Sequence, residues 1–238
     1  MFKKFFFVFI ILSNTIVFSM ERIQRNSEEL AIIKNEIFEE TKKYKNDFNK
    51  IKEKKENIIV KWREMIALSI PIAKKIVSKH GYPDTYVGTQ KFTLEYISAQ
   101  ANNPRLSKIN EDLYNFLYLE TFGVTGETKT IPVETARTII KQAAINVDTE
   151  KSQEELKNIK KIDDPLKKII ASAVFTYQMA HEAAQQFGFS KDDIGFIDVQ
   201  RALTPYYNDQ VIMADAYGTI NKIYQSVGIN ITDINKCY

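Results

Sequence analysis

An apolar or aromatic residue returns every seven positions through the first part of this chain. The series consists of Ile23, Leu30, Ile37, Tyr44, Ile51, Ile58 and Met65. Neighbours three or four positions away, such as Ile33, Phe48 and Trp62, widen this line into a seam, and most other positions hold Lys, Glu, Asn or Gln. Because a seven-residue return lies along one side of a helix, the pattern predicts a long helix that pairs with another apolar surface.

The predicted helix is long because no Gly or Pro interrupts residues 21–70. Fifty helical residues would extend for about 75 Å, which is more than the width of a compact domain of this size. We therefore expect a projecting or coiled-coil helix at residues 20–60 and a helical bundle domain at residues 61–238. Thr41 and Lys55 interrupt the seam. The alternative is a helix whose first half packs against its own bundle.

The rest of the chain predicts shorter helices with short connections. The sequence holds only 8 Gly and 6 Pro among 238 residues, whereas turn-rich β proteins need more of both. The predicted fold is all-α, a helical bundle of seven or eight helices with a long N-terminal coiled-coil-like helix. Gly218 falls inside the last helix, where glycine costs about 1 kcal/mol relative to alanine, so we expect a crossing helix to approach it closely.

The first 19 residues have the pattern of a secretory signal peptide. Lys3 and Lys4 precede the short apolar run Phe5–Leu12, and Ser19 offers a small residue at which cleavage can occur. The run is shorter than the ~20 apolar residues that a bilayer-spanning helix needs. We therefore expect an exported protein, either periplasmic or extracellular at the cell surface. A retained N-terminal membrane anchor is the alternative.

Charge and cysteine content argue against several classes of function. Loss of Lys3 and Lys4 with the signal peptide would lower the net charge from +3 to about +1, so the pI of 8.7 does not indicate nucleic-acid binding. Cys237 is the one cysteine, which excludes an intramolecular disulfide and a cysteine-rich metal site. We expect no nucleic-acid partner, no metal and no small-molecule cofactor.

The string from His181 and Glu182 to Gln185 comes close to a zinc-protease motif on a predicted helix. That motif needs a second histidine where Gln185 stands, so that two imidazoles on one face can hold the metal. His80 is the only other histidine in the chain. We therefore expect His181 to be a half-buried, hydrogen-bonded side chain. His181 and Glu182 are the catalytic residues of the alternative function, an envelope hydrolase.

The segment Gly123–Thr130 resembles a phosphate-binding loop with one substitution. Thr128 replaces the glycine directly before Lys129, and a side chain there obstructs the approach of phosphate to the backbone amides. The expected export also separates the protein from nucleoside triphosphates. A flexible loop in solvent is therefore the preferred interpretation.

Aromatic residues are numerous between Tyr82 and Tyr96, and exposed tyrosines are typical of contact surfaces. Core packing would explain them as well. The main hypothesis is an exported, non-enzymatic interaction or structural protein of the cell envelope or surface. It would bind a protein partner, or itself, through the N-terminal helix and exposed aromatics, and would contact a membrane only if the signal segment is retained. The predicted partner-binding residues are Ile23, Leu30, Ile37, Tyr44, Phe48, Ile51, Tyr86 and Tyr96.

No motif assigns the chain to a family. Its layout of export signal, long helix and helical bundle is similar to that of minor pilus subunits of conjugative transfer systems and of helical surface adhesins. This is a likeness of architecture alone, so it implies neither a ligand nor a reaction.

Overall fold

The computed structural model describes residues 25–100, 103–125, 129–206 and 209–229. The described residues belong to two compact units, the first within Met1–Gly126 and the second within Glu127–Ile234. All regular structure in the described ranges is helical, which confirms the all-α prediction. The signal peptide predicted for residues 1–19 lies outside the described residues. None of the described helices is both long enough and apolar enough to cross a membrane.

The first unit contains five described α-helices. They are α1 (Ser27–Lys42), α2 (Lys45–Glu53), α3 (Ile58–Lys79), α4 (Tyr86–Gln100) and α5 (Pro104–Phe122). Helix α1 packs against α3, α4 and α5, while α2 packs mainly against α5. Trp62 lies at the centre of one aromatic group, stacked on both Tyr118 and Phe122 with ring centroids 5.9 Å and 5.3 Å away.

The predicted long N-terminal helix is not present, because residues 27–79 form three helices instead of one. The chain turns at Lys43 and Tyr44, and it becomes extended at Lys54, where ψ is 141°. Asn57 then caps α3 by accepting a hydrogen bond from the backbone N–H of Val60. Because of these breaks, α1 packs against α3 and α5, and α2 packs against α5. The apolar side chains of the seam are therefore buried within one chain. The alternative, a helix packed against its own bundle, describes the first unit better.

The second unit also contains five described α-helices. They are α6 (Val133–Asn146), α7 (Glu150–Lys160), α8 (Pro165–Ala184), α9 (Asp193–Leu203) and α10 (Gln210–Val227). Helix α8 contacts all four of the others and is buried on nearly every side from Ile169 onward, so it forms the centre of this unit. The described residues thus contain ten α-helices where seven or eight were expected. Two of the additional helices come from the breaks in the N-terminal segment.

Short polar side chains begin most of these helices, and glycines end several. The side-chain caps at helix N-termini are Asn26, Asn57, Asn103, Thr149, Asp164, Asp192 and Asp209. Gly188 and Gly228 have φ of 77° and 76°, the left-handed conformation that glycine adopts without strain, and each follows the end of a helical segment.

Candidate functional site

Most of the predicted partner-binding residues belong to the core of the first unit. Tyr44 is half-buried, and Ile23 lies outside the described residues. The other six are at most 6% exposed, and they are Leu30, Ile37, Phe48, Ile51, Tyr86 and Tyr96. The seam and the tyrosines are covered because α1 to α5 pack on one another. A partner could reach these side chains only if the first unit opened.

His181 and Glu182 are adjacent on α8 but have different partners. The Nε2 atom of His181 lies 2.7 Å from the carbonyl oxygen of Ser190, and the ring meets Phe196 edge-on with centroids 5.5 Å apart. Glu182 forms an ion pair with Lys151 at 3.1 Å. His181 is buried as well as hydrogen-bonded, which fits a structural histidine. Within the described residues, no group of three or more His, Cys, Asp or Glu side chains could hold a metal ion.

Lys129, the lysine of the loop that resembles a phosphate-binding loop, contacts the end of the 3₁₀ turn Gln185–Phe187, which follows α8. Its ammonium donates to the carbonyl oxygens of Phe187 at 3.1 Å and Gly188 at 3.0 Å, and it lies 4.3 Å from the centre of the Phe189 ring. Carbonyl groups at a helix C-terminus attract a cation. Lys129 is thus engaged in packing within the second unit. Residues 126–128 lie outside the described part of the chain.

The first unit contains a cavity of about 40 Å³ where α1, α3, α4 and α5 meet. A space of this size has room for more than one water molecule. Its wall is mainly aliphatic and aromatic, with four serine or threonine side chains, the phenol of Tyr114 and a single charged side chain. The lining residues are Lys34, Ile37, Thr41, Met65, Ile66, Ser69, Ala73, Thr89, Phe92, Thr93, Leu113, Tyr114 and Leu117.

Lys34 is the charged residue of this wall and is only 5% exposed. Its Nζ atom lies 5.1 Å from the centre of the Tyr96 ring and 5.9 Å from that of Tyr114, and both rings stabilise an ammonium through their π faces. Burial opposes this effect and lowers the pKa of Lys34 from 10.5 to about 7. The wall of the cavity contains no carboxylate. Burial therefore favours the neutral amine of Lys34 over the ammonium form.

Three hydroxyl groups of residues in the wall have their hydrogens committed to the helix backbone. Thr41, Ser69 and Thr93 each donate their hydroxyl hydrogen to the backbone carbonyl four residues earlier, at 2.7, 2.8 and 2.9 Å. A hydroxyl has one hydrogen to donate and two lone pairs to offer. Once the hydrogen is committed to the helix, only the lone pairs remain for a ligand. The wall therefore combines one amine with several acceptors in an otherwise apolar setting.

The sequence contains a signal for this site that the seven-residue pattern obscures. Lys34 stands four residues after Leu30 and three before Ile37, and Thr41 stands four residues after Ile37. These are inward positions of the same helix face. The seven-residue pattern explains Thr41 only as an interruption of the seam, and it does not distinguish Lys34 from other polar residues. Polar residues at inward positions mark the helix face that borders the cavity.

Comparisons of the chain with protein-family models, with curated proteins and with solved structures found no match. Among the described residues, the cavity that Lys34 helps to line has the most distinctive chemistry.

Proposed function

We propose that the protein is an exported, non-enzymatic binding protein, and that it binds a small molecule in the cavity of the first unit. The observation that carries this proposal is Lys34, which is 5% exposed beside an apolar cavity whose wall has no carboxylate. Burying an ionisable amine costs free energy, and a chain that keeps one at a cavity gains a specific group for recognition.

Hydrogen bonds and ion pairs within the second unit support a non-enzymatic function. His181 and Glu182, the residues of the alternative hydrolase, bind Ser190 and Lys151 respectively. Lys34 and Tyr114 are the only titratable side chains in the cavity wall. That pair suits recognition better than hydrolysis, which needs an activated water as well. The export part rests on residues 1–19 of the sequence.

The proposal replaces the seam with the cavity as the place of binding. Leu30, Ile37 and Ile51 are covered by helices of the same unit, so they give a protein partner no exposed stripe. A cavity of about 40 Å³ suits a small ligand, or the short end of a larger one.

The test is methyl NMR of the mature chain, residues 20–238, with the methyl groups of Met65, Ile37 and Ile66 as reporters of the cavity. Acetaldehyde, glycolaldehyde, acetate and ethanol are added separately. Saturable shifts of these methyl groups with at least one probe are expected. Exposed Ile145, in the second unit, serves as the internal control.

A matched variant fills the space. Ala73→Val adds two methyl groups to the wall, and it should abolish the saturable shifts while the chain keeps its helical circular dichroism. If no probe moves the cavity methyl groups, or if Ala73→Val responds as the wild type does, the proposal is wrong.

A further inference from the structure

We infer that the two units are copies of one five-helix fold, so that the chain is a tandem repeat. Corresponding residues lie 107 positions apart through the middle of the repeat, as Asn57 and Asp164 do, and within one or two positions of this spacing elsewhere. Asn57 caps α3 and Asp164 caps α8, and each side chain accepts a hydrogen bond from the backbone N–H three residues later. The inference does not depend on the proposed function.

The helices of the two units follow in the same order with similar lengths. They contain 16, 9, 22, 15 and 19 residues in the first unit and 14, 11, 20, 11 and 18 residues in the second. The first helix of each unit packs against the third and fifth, the second packs against the third and fifth, and the fourth packs against the third. Helix α4 also packs against α1 and α5, whereas α9 packs mainly against α8.

The buried face of the first helix is nearly the same in both units. The pairs of buried residues, each 106 positions apart, are Leu30 and Ala136, Ile33 and Ile139, Lys34 and Ile140, Ile37 and Ala143, and Thr41 and Val147. Ala31 departs from this correspondence, because its counterpart Arg137 is only half-buried. Since any two amphipathic helices share a period, the glycines and the polar contacts provide the stronger evidence.

The glycines with positive φ occupy corresponding places. Among the described residues they are Gly81, Gly123, Gly188 and Gly228, with φ of 82°, 71°, 77° and 76°. Gly81 and Gly188 follow the third helix of their unit, the latter after a 3₁₀ turn, while Gly123 and Gly228 end the fifth helix. Glycine adopts this left-handed conformation without strain. The four glycines thus mark the same two helix ends in both units.

The connection from the third to the fourth helix is built in the same way in both units. The residue after the first glycine is a buried aromatic, Tyr82 or Phe189. A second glycine follows, Gly88 or Gly195, where an added Cβ would lie 1.9 Å from the carbonyl oxygen of the residue five positions earlier. The N–H of this glycine donates to the side chain three residues earlier, at 3.3 Å in the first unit and 2.9 Å in the second. The same close backbone approach therefore requires glycine in both connections.

A cation from the start of each unit contacts this connection. The guanidinium of Arg25, which precedes α1, donates to the carbonyl oxygen of His80 and lies 4.8 Å from the centre of the Tyr82 ring. Lys129 precedes α6 and makes both contacts with the counterparts of these two residues in the second unit. A carbonyl at a helix end and an aromatic ring both attract a cation. Helix packing in general does not produce this agreement, so it points to one fold used twice.

The fifth helices begin alike as well. Asn103 before α5 and Asp209 before α10 each accept hydrogen bonds from the N–H groups two and three residues later. The next buried residues, Leu106 and Ile212, are 106 positions apart, as the two caps are. The correspondence therefore extends from the first helix of each unit to the last.

The two copies differ where the first unit has its cavity. The counterparts of Lys34, Thr41 and Thr89 in the cavity wall are Ile140, Val147 and Phe196, all three buried and apolar. The fold is shared, whereas the polar wall belongs to the first copy. Function resides in the site that a fold carries, so one copy of a repeat can gain a site that the other lacks.

The decisive experiment is a crystal structure of the mature chain, residues 20–238. Residues 26–123 and 132–228 should superpose helix on helix in chain order, with Gly81 on Gly188 and Gly88 on Gly195. A different order or packing of the helices in either unit would overturn the inference.

Matched glycine variants test the correspondence in solution. Gly88→Ala and Gly195→Ala should each accelerate amide hydrogen exchange about tenfold or more in the unit that carries the change, because overpacking is destabilising. Exchange is measured in the full mature chain by mass spectrometry on peptides from each unit. Gly218→Ala is the control, since open space surrounds the added methyl group. If only one of the two glycine variants is destabilised, the connections differ and the inference is wrong.

The two cations provide milder variants for the same measurement. Arg25→Lys and Lys129→Arg exchange the residue types of the two copies, and each unit should keep its protection from hydrogen exchange. Arg25→Met and Lys129→Met should lower the protection near Gly81 and Gly188, respectively. If the exchanged cations lose as much protection as the methionine variants, Arg25 and Lys129 do not share one role, which contradicts the inference.

Discussion

The ammonium of Lys34 faces the ring of Tyr96 at 5.1 Å, and the phenol of Tyr96 in turn donates a hydrogen bond of 2.6 Å to the backbone carbonyl of Leu106. A side chain of α1 is thereby held against a tyrosine of α4 that is tied to α5. This relationship holds the amine among the helices of the first unit, and it makes the ionisation of Lys34 part of the stability of that unit.

Lys34 should make the protein more stable as the pH rises from about 7 to about 10. Its pKa is lowered by burial to about 7 in the folded chain and is ordinary in the unfolded chain. Between those values the unfolded state binds one more proton, so the free energy of unfolding increases by up to about 1.4 kcal/mol per pH unit. Urea denaturation of the wild type at pH 7, 8 and 9 measures this slope.

Lys34→Met supplies the comparison, since it keeps the length of the side chain and removes the charge. We expect it to raise the stability at pH 7 and to flatten the slope between pH 7 and 9. Lys108→Met, on the exposed side of α5, should leave the slope unchanged. An unchanged slope in Lys34→Met would show that the amine is not desolvated.

Above pH 10 the free energy of unfolding should fall with rising pH instead of increasing. Burial raises the pKa of Tyr86, Tyr96 and Tyr114 above the ordinary value of 10. The unfolded chain therefore loses phenol protons first, and stability falls as pH rises through that range. Ultraviolet absorbance at 295 nm should show these tyrosines ionising together with unfolding instead of before it.

Truncation of Trp62 should be among the most damaging single changes in the first unit. The indole is fully buried and stacks on Tyr118 and Phe122. Trp62→Ala leaves a large cavity, so we expect a loss of about 3–5 kcal/mol in the free energy of unfolding. Trp62→Phe keeps an aromatic ring and should cost clearly less. Equal losses in the two variants, measured by circular dichroism in urea, would count against the stacked arrangement.

Gly218→Ala should stabilise the protein. Gly218 is exposed within α10, and a Cβ added there would meet nothing within 4 Å, so the expected close approach of a crossing helix is wrong. The gain should be about 0.5–1 kcal/mol, because alanine loses less conformational entropy in a helix. Gly195→Ala is the matched control in α9, where the new Cβ would lie 1.9 Å from the carbonyl oxygen of Ser190. That variant should be destabilised, and thermal unfolding of both variants tests the contrast.

Asp209 should stabilise α10 in a pH-dependent manner. Its carboxylate accepts hydrogen bonds from the N–H groups of Ile212 and Val211 and pairs with Arg137 at 2.9 Å. The hydrogen bond from Ile212, followed by Arg137, lowers its pKa below the ordinary value. The stabilisation is therefore present above the unfolded pKa and is lost as the pH falls through the folded pKa. Asp209→Ala should be less stable than wild type at pH 7, and the difference should shrink in acid.

The all-α class was predictable because few glycines and prolines, helical periodicity and polar caps point the same way. The three-helix arrangement of the N-terminal segment was not predictable. A seven-residue return shows that an apolar seam will be buried, but it does not show which surface buries it. The breaks at Tyr44 and at Lys54 need neither Gly nor Pro. Asn57, an N-cap directly before an apolar run, is the one local signal of the second break.

The sequence marks one helix face of the cavity, but the cavity itself could not be predicted, for a different reason. It forms where four helices meet, and the approach of Lys34 to Tyr96 joins residues 62 positions apart. Tyr86 and Tyr96 were expected to be exposed, and they are buried because α4 turns that face toward α1 and α3. Spacing in sequence identifies the face of a helix, whereas the depth at which that face lies depends on long-range packing.

Trp62 is the only tryptophan of the chain, and it belongs to the first unit. Its fluorescence therefore reports unfolding of the first unit and does not report unfolding of the second. If the two halves melt at different denaturant concentrations, the emission spectrum will change once, whereas the helical signal near 222 nm will fall in two steps. The loss of helical signal that is not accompanied by a change in tryptophan emission can then be assigned to residues 129–229. No label has to be introduced into the protein.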